Sequence, residues 1–354
     1  MRDIKGGLGS SSNLPSATSF PRSLELAPKA VVEEAVEEEG EVNEGLLADA
    51  WEITDAMDFA MAMAMDAVKG LNPTYDEARK RSDWPKWEVA IKAELALLEA
   101  NGTWKIVEHP PNANVVGSKW VLCIKKNATG EIDKYKARLV ARGFTQVHKV
   151  DYTKTYAPVA RLSTFQYLIA LANHNGWQLD CVDFDSPFLN PVLGEDEVIY
   201  LEQPCRFVKE NSQAYVYRLS KSLYGLKQEA RNWYEALKRE LKELQFKVLE
   251  ADNRVFVEVV GEDILIVAAH IDDCLVTSSS WDLIIKFKVD IDKKYKITDL
   301  GECIWLFGMK ISRDHANKTI FLSQTSYINT ILAQLNFDDL KPLSIPIDRS
   351  QPLS

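Results

Sequence analysis

The sequence predicts an α+β protein in which a small antiparallel sheet carries helices on one face. Three observations point there. Segments with apolar residues at helical spacing alternate with β-prone runs, in the order helix, hairpin, helix, strand, helix, hairpin, helix. The β-prone runs come in neighbouring pairs, "KWVLCIKK" with "YKARLVARG" and "RVFVEVV" with "ILIVAAHIDDCLVTS", as antiparallel hairpins do. At 354 residues with 46% apolar side chains, the chain is long enough to bury a substantial core.

Residues 1–58 hold four basic against thirteen acidic side chains and are rich in Ser, Pro, Gly and Glu, which predicts a disordered acidic leader. The Met/Ala alternation of "AMDFAMAMAMDAVKG" predicts a short amphipathic helix, and the ordered part is expected from near Asn72. In "DWPKWEVAIKAELALLEANGTW", Trp87, Ile91, Leu95 and Leu98 recur at helical intervals, and Asn101-Gly102 is a stop signal. The first hairpin should turn at Asn127 to Gly130. Then come a helix in "LSTFQYLIALANHNG" ended by Gly176, a strand in "WQLDCVDF", and short strands in "VIYLEQ" and "YVYRLS". "EARNWYEALKRELKEL" predicts a long amphipathic helix, and "SWDLIIKFKVDIDKKY" another. Between them lie two β-rich segments, the second broken at Asp272-Asp273.

No apolar run approaches the roughly 18 residues that cross a bilayer, and the N-terminus lacks the apolar centre of a signal peptide. An intracellular protein, cytoplasmic or nuclear and without a membrane partner, is the expectation. Cys123, Cys181, Cys205, Cys274 and Cys303 stand singly, with no C-x-x-C pair and no histidine at ligand spacing. Buried reduced thiols are therefore expected, and neither a zinc site nor a disulfide framework. The net charge of −10 hides a local excess: residues 119–149 carry eight basic against two acidic side chains, enough to meet a phosphate.

Two adjacent aspartates inside an apolar run fit either a wet hairpin tip or half of a divalent-metal site. The second needs a further carboxylate, and "WQLDCVDFDSPFLN" offers Asp180, Asp183 and Asp185 among apolar neighbours. An acid on a strand beside an acid pair on a hairpin is how two-metal nucleotidyl transfer is arranged.

From about Asn72 to Asp348 the motifs "NGTWKIV", "GSKWVLCIKK", "KARLVARGFTQ", "DYTKTYAPVAR", "DFDSPFLN", "VIYLEQP", "SLYGLKQEARNWY", "HIDDCLV" and "DLGECIWLFGMKI" follow one another. In this order they resemble the reverse transcriptase of copia-type long-terminal-repeat retrotransposons. The resemblance implies a right-hand polymerase fold over residues 59–348, with fingers and palm at about 72–278, a partial, thumb-like helical region at about 279–348, and a tail at 349–354. It implies an RNA-directed DNA polymerase that extends a primer on an RNA or DNA template from deoxynucleoside triphosphates.

The same resemblance assigns roles. Asp183, Asp272 and Asp273 would be the catalytic carboxylates holding two Mg²⁺ ions, with Mn²⁺ as a substitute, while Asp180 and Asp185 would be bystanders. Lys136 and Arg138 would contact the triphosphate, Phe188 would lie under the sugar, and Gln228 would line the nucleotide pocket. Lys119 and Arg142 would serve the template backbone, since phosphate contacts position a nucleic acid without reading it.

Several positions depart from the family. Members usually read "DVKTAFLNG" where this chain has "DFDSPFLNP". Pro187 removes a backbone N–H expected to cradle the triphosphate, at about 1.5–3 kcal/mol of nucleotide binding, and Pro191 replaces a glycine. Gln166 stands where a basic residue is common, Phe307 where leucine is, and His270 where another aromatic is, a mild change because imidazole packs as a flat ring. No nucleocapsid, protease, integrase or RNase H motif accompanies the motifs, which with Pro187 is what a decaying genomic fragment would show. A non-catalytic nucleic-acid-binding scaffold stays open beside the polymerase, and a two-metal nuclease is less supported because no independent nuclease motif occurs.

Overall fold

The computed structural model describes residues 72–126, 131–204, 206–208 and 214–334. The acidic leader, the Met/Ala segment, the turn at 127–130, Cys205 and the tail at 349–354 lie outside the described residues. Helix α1 (Tyr75–Ala78) opens on a reciprocal capping box between Thr74 and Glu77. Helix α2 (Trp84–Ala100) has Pro85 in its first turn and ends at Asn101, with Gly102 at φ +63° as the Asn-Gly signal predicts. Its Trp87, Ile91 and Leu98 are fully buried.

Strands β1 (Trp104–Glu108) and β2 (Val115–Val116) follow, then the hairpin β3 (Ser118–Lys126) and β4 (Ile132–Ala141). Trp120, Leu122 and Ile124 pair with Leu139, Ala137 and Tyr135, so these six share a face, which meets α2 through Trp87 and Ile91. Helix α3 (Leu162–Asn175) closes on Gly176 at φ +71°, the left-handed cap that glycine adopts without strain. After it come β5 (Gln178–Phe184), β6 (Tyr200–Leu201), β7 (Tyr215–Leu219) and helix α4 (Glu229–Glu243). The central sheet is completed by β8 (Lys247–Leu249), β9 (Asp252–Val260), β10 (Asp263–His270) and β11 (Asp273–Ser278). Helix α5 (Trp281–Asp292), strands β12 (Ile297–Glu302), β13 (Trp305–Leu306), β14 (Met309–Asp314) and β15 (Thr319–Ser323), and helix α6 (Thr325–Gln334) end the described chain.

The main sheet runs β12-β5-β11-β10-β9-β8, antiparallel throughout. Helices cover both of its faces, where the sequence suggested one. Val182, Phe184, Leu265, Val267, Cys274 and Val276 pack against α4 and α5. Leu179, Ile266, Ala268 and Leu275, of the opposite parity, pack against Phe165, Leu168 and Ile169 of α3 and against Leu306 and Ile311 of the small β13-β14-β15 sheet. The physical reason is in the strands: "ILIVAA" does not alternate, so apolar side chains leave β10 on both sides and each side needs a cover.

A second sheet, β1-β7-β6-β2, contains one parallel pair, β2 with β6. Leu98, Leu139, Val116 and Leu201 join its core, with Trp104 stacked on Tyr217 at 4.4 Å. The region expected to be thumb-like and helical is mostly strand over residues 297–323, because β12 joins the main sheet beside β5 while β13, β14 and β15 pair with one another.

One cysteine expectation is corrected. Cys181 and Cys303 form a disulfide, with Cα atoms 4.9 Å apart across 122 residues of sequence. The pairing of β12 with β5 brings them together, the Cys303 N–H donating to the Leu179 carbonyl at 2.9 Å. Cys274 is a buried free thiol as expected, while Cys123 is free but only half-buried.

The loop after β7 docks tightly on the end of β4. A Cβ on Gly225, at φ +82°, would lie 2.3 Å from the Ala141 carbonyl oxygen and 2.5 Å from a Val140 methyl. Gly225→Ala is expected to cost about 2–4 kcal/mol of unfolding free energy. A urea midpoint equal to that of the wild type would show that this docking is absent.

Candidate active site

Asp183 is the last but one residue of β5 and Asp273 begins β11, and the two are direct register partners. Directly opposed residues on neighbouring strands point to the same face with Cβ atoms about 4.5–5.5 Å apart, which sets two carboxylates side by side. Asp272 precedes Asp273 in the β10–β11 turn, where Ile271 takes the left-handed conformation at φ +54°. The Phe184 N–H donates to the Asp272 carbonyl at 3.0 Å, tying the turn to the residue after Asp183. The structure thus pairs Asp183 with Asp273 in register and places Asp272 in the adjoining turn.

Burial raises all three carboxyls, and repulsion adds to it at Asp272 and Asp183. Burial, and then the Asp183 charge, push the Asp272 carboxyl up to about 6. Asp183 is raised by burial, then by Asp273 and Asp185, and Asp273 is raised by burial. Positive charge reaches the cluster from the hairpin. Lys119, Lys125, Lys134, Lys136 and Arg138 occupy alternate positions whose partners place them on the face of β3 and β4 opposite to α2. Lys136 and Arg138 both favour the ionised form of Asp272, and Lys136 favours that of Asp183. Crowding by Arg138, Lys125 and Lys134 adds to burial in holding the Lys136 ammonium below its usual range.

The donor set is carboxylate only, which suits a hard divalent cation. Oδ1 of Asp272 is buried with no hydrogen-bond partner, an orphaned acceptor that a cation would satisfy. The residues therefore fit such an ion in chemistry and charge. Among the described residues, however, no group of three or more His, Cys, Asp or Glu side chains is arranged to hold a metal as it stands.

Around the acids the sequence had flagged only part of the wall. The Arg138 guanidinium lies 5.1 Å over the Tyr224 ring, and its Nε is also buried without a partner. Tyr224 bonds Ser186 and meets the Phe188 ring edge-on at 6.1 Å. Glu94 on α2 is raised by burial and lies within reach of Arg138 and Lys136. An acid three residues after buried Ile91 on the helix was the available signal for it; Tyr224 had none beyond its motif. Pro187 is buried at the start of the short 3₁₀ turn Pro187–Leu189, after Ser186 at φ +52°.

His270 packs as a flat ring, 4.5 Å from Phe307 and 6.4 Å from Phe165. Two of the family departures thus touch each other. Asp180 points away from the acids, fully buried and ion-paired with Lys288, and Asp185 accepts a hydrogen bond from Thr298 at 3.0 Å. Lys119 and Arg142 are both exposed near the base of the hairpin.

Gln228 occupies a different setting from the one expected. Its side chain is fully buried, accepting from Gln146 Nε2 at 3.1 Å and donating to the Asp151 carbonyl at 2.9 Å. Gln146 Oε1 accepts in turn from the Lys227 N–H at 2.8 Å. Both ends of the Gln228 amide are engaged with the loop after β4, so this side chain fixes the Tyr224–Gln228 loop rather than opening onto the pocket.

Residues 101–349 match the model of the family described as reverse transcriptase (RNA-dependent DNA polymerase). The chain is 33% identical over 259 residues to the retrovirus-related Pol polyprotein from transposon TNT 1-94 of Nicotiana tabacum, covering 73% of this chain and 19% of that protein. It is 31% identical over 270 residues to the corresponding polyprotein from transposon RE1 of Arabidopsis thaliana, covering 76% and 18%. The Ty1-H Gag-Pol polyprotein of Saccharomyces cerevisiae is 26% identical over 261 residues, covering 68% and 14%. The chain spans under a fifth of the length of these relatives.

Proposed function

Because the chain belongs to the reverse transcriptase (RNA-dependent DNA polymerase) family of retrotransposon Pol polyproteins, we propose that its acidic cluster performs templated nucleotidyl transfer onto a primer 3′-hydroxyl. The observation that carries this is the register of Asp183 with Asp273, with Asp272 beside them and the basic face of the β3–β4 hairpin within electrostatic reach. In this reading the six-stranded sheet is a palm, and α1, α2, the hairpin and the four-stranded sheet are fingers of a copia-type polymerase.

The family uses divalent metal ions, nucleic-acid templates and deoxynucleoside triphosphates; here the ions would be two Mg²⁺, or Mn²⁺. Bound ions would lower the pKa of the primer hydroxyl and neutralise charge on the leaving pyrophosphate. Asp183, Asp272 and Asp273 would hold them, which offsets the burial that raises all three carboxyls and the repulsion that adds to it at Asp183 and Asp272. Lys136 and Arg138 would neutralise the triphosphate from the other side, with Tyr224 keeping the Arg138 guanidinium in plane. Phe188, held against Tyr224, would form the floor under the sugar, and Lys119 and Arg142 would meet template phosphates.

Primer extension with Mg²⁺ and deoxynucleotides on RNA and DNA templates tests the proposal. Binding of primer-template without any incorporation, in Mg²⁺ or Mn²⁺, would favour the scaffold instead. Pro187 bears on the rate. At the first position of a helical turn an N–H has no intrahelical partner, so alanine there would present a free donor that proline lacks. Pro187→Ala is expected to lower the apparent nucleotide KM about tenfold at an unchanged unfolding midpoint. Equal KM values would remove the missing N–H as a defect.

A further inference from the structure

We propose that Trp233 is a positioning residue that holds both halves of the carboxylate cluster at one spacing through its indole N–H and ring; this rests on the polymerase reading above. Trp233 lies on α4, fully buried, on the face of the sheet opposite to Asp183 and Asp273. It touches neither acid, yet it contacts the neighbour of each half. Its ring meets Phe184, the residue after Asp183, edge-on at 5.0 Å. Its Nε1 donates to the carbonyl of Ile271, the residue before Asp272, at 2.8 Å. Tyr295 packs on the indole at 5.2 Å and fixes its plane.

The contact at Ile271 falls where the backbone needs help. A β-branched residue at φ +54° is disfavoured by its own Cβ, and such a conformation persists only when its surroundings hold it. The indole N–H supplies that hold by satisfying the turn's carbonyl. The Phe184 N–H to Asp272 carbonyl bond closes the loop, so indole, β5 and the turn form one linked unit. Without the N–H, the turn is free to relax toward ordinary backbone angles and carry Asp272 away from Asp183.

The test separates the N–H from the ring. In the full chain, Trp233→Phe keeps an aromatic ring and removes the donor, and β-(3-benzothienyl)alanine at position 233 keeps the bicyclic shape and removes only the donor. Mn²⁺ binding is read from the electron paramagnetic resonance signal of the free ion, alongside primer-extension kinetics and thermal unfolding. Both variants are expected to bind Mn²⁺ about five- to tenfold more weakly and to lose a similar factor in kcat. The nucleotide KM should change less than about twofold, and the unfolding midpoint should fall by no more than about 4 °C. Ile271→Gly, which accepts a positive φ without strain, should restore much of the Mn²⁺ affinity in the Trp233→Phe background. Unchanged Mn²⁺ affinity in the benzothienyl variant, or a KM that rises with the loss in kcat, would overturn the positioning role alone. A wild-type protein that binds no Mn²⁺ would overturn the polymerase reading and this inference with it.

Discussion

Asp183→Asn is expected to end nucleotide incorporation, with single-nucleotide primer extension slowing by on the order of 10³-fold or more. The amide keeps the shape of the carboxylate and removes the charge that a divalent ion needs. Asp185→Asn is the matched control. That residue lies two positions along the same chain, is exposed, and is occupied with Thr298, so its rate should stay within about threefold of wild type. Retained activity in Asp183→Asn would remove the carboxylate assignment, and loss confined to Asp185→Asn would move the metal site to the other side of the strand end.

The second large effect is on stability and needs no substrate. Asp272 titrates near 6 in the folded protein, above its unfolded value of about 3.9. Below about pH 4 both states hold the proton and the raised pKa has no effect. Between about pH 4 and pH 6 the folded state keeps a proton that the unfolded state has lost, so stability falls as pH rises. Above about pH 6 the full penalty is present, on the order of 2–3 kcal/mol. Asp272→Asn should therefore be more stable than wild type at pH 7.5 by about that amount without added metal, and the difference should vanish toward pH 4. Asp183 and Asp273, also raised, act in the same direction, while carboxylates away from the site such as Glu77 and Asp314, which are lowered, act oppositely in both proteins and cancel. Urea titrations of the two proteins across this range measure the difference. A pH-independent gap would mean that the Asp272 carboxyl is not desolvated as described.

Local signals in the sequence carried the helices well. The Asn101-Gly102 stop, the Gly176 cap and the apolar spacing of α2 are each decided by a few neighbouring residues, and each occurs where expected. Asp272 and Asp273 stood out because charge in an apolar run is costly, but the run alone fitted a turn as well, and only the family resemblance set Asp183 apart from Asp180 and Asp185. What escaped depends on register between distant segments. Nothing near Cys181 announces Cys303, 122 residues away, until β12 lies beside β5. Gln228 reads as a pocket residue in its own motif, but its partners Gln146 and Asp151 belong to a loop about 80 residues earlier. The covering of both sheet faces was present in "ILIVAA" as a missing alternation, yet an apolar run of that length does not say which helices provide the covers.

Pro187 separates two quantities that usually travel together. It occupies the first position of a helical turn, where its fixed φ fits and its absent N–H costs the fold no hydrogen bond. Any screen that reports on folding, whether solubility, protease resistance or a melting curve, would pass this chain without noticing the substitution. On the proposed polymerase reading, a nucleotide triphosphate is the ligand that would register it. On that reading a gene of this kind can weaken its nucleotide binding while its product stays intact, and a cell that polices misfolded protein would have no reason to remove it.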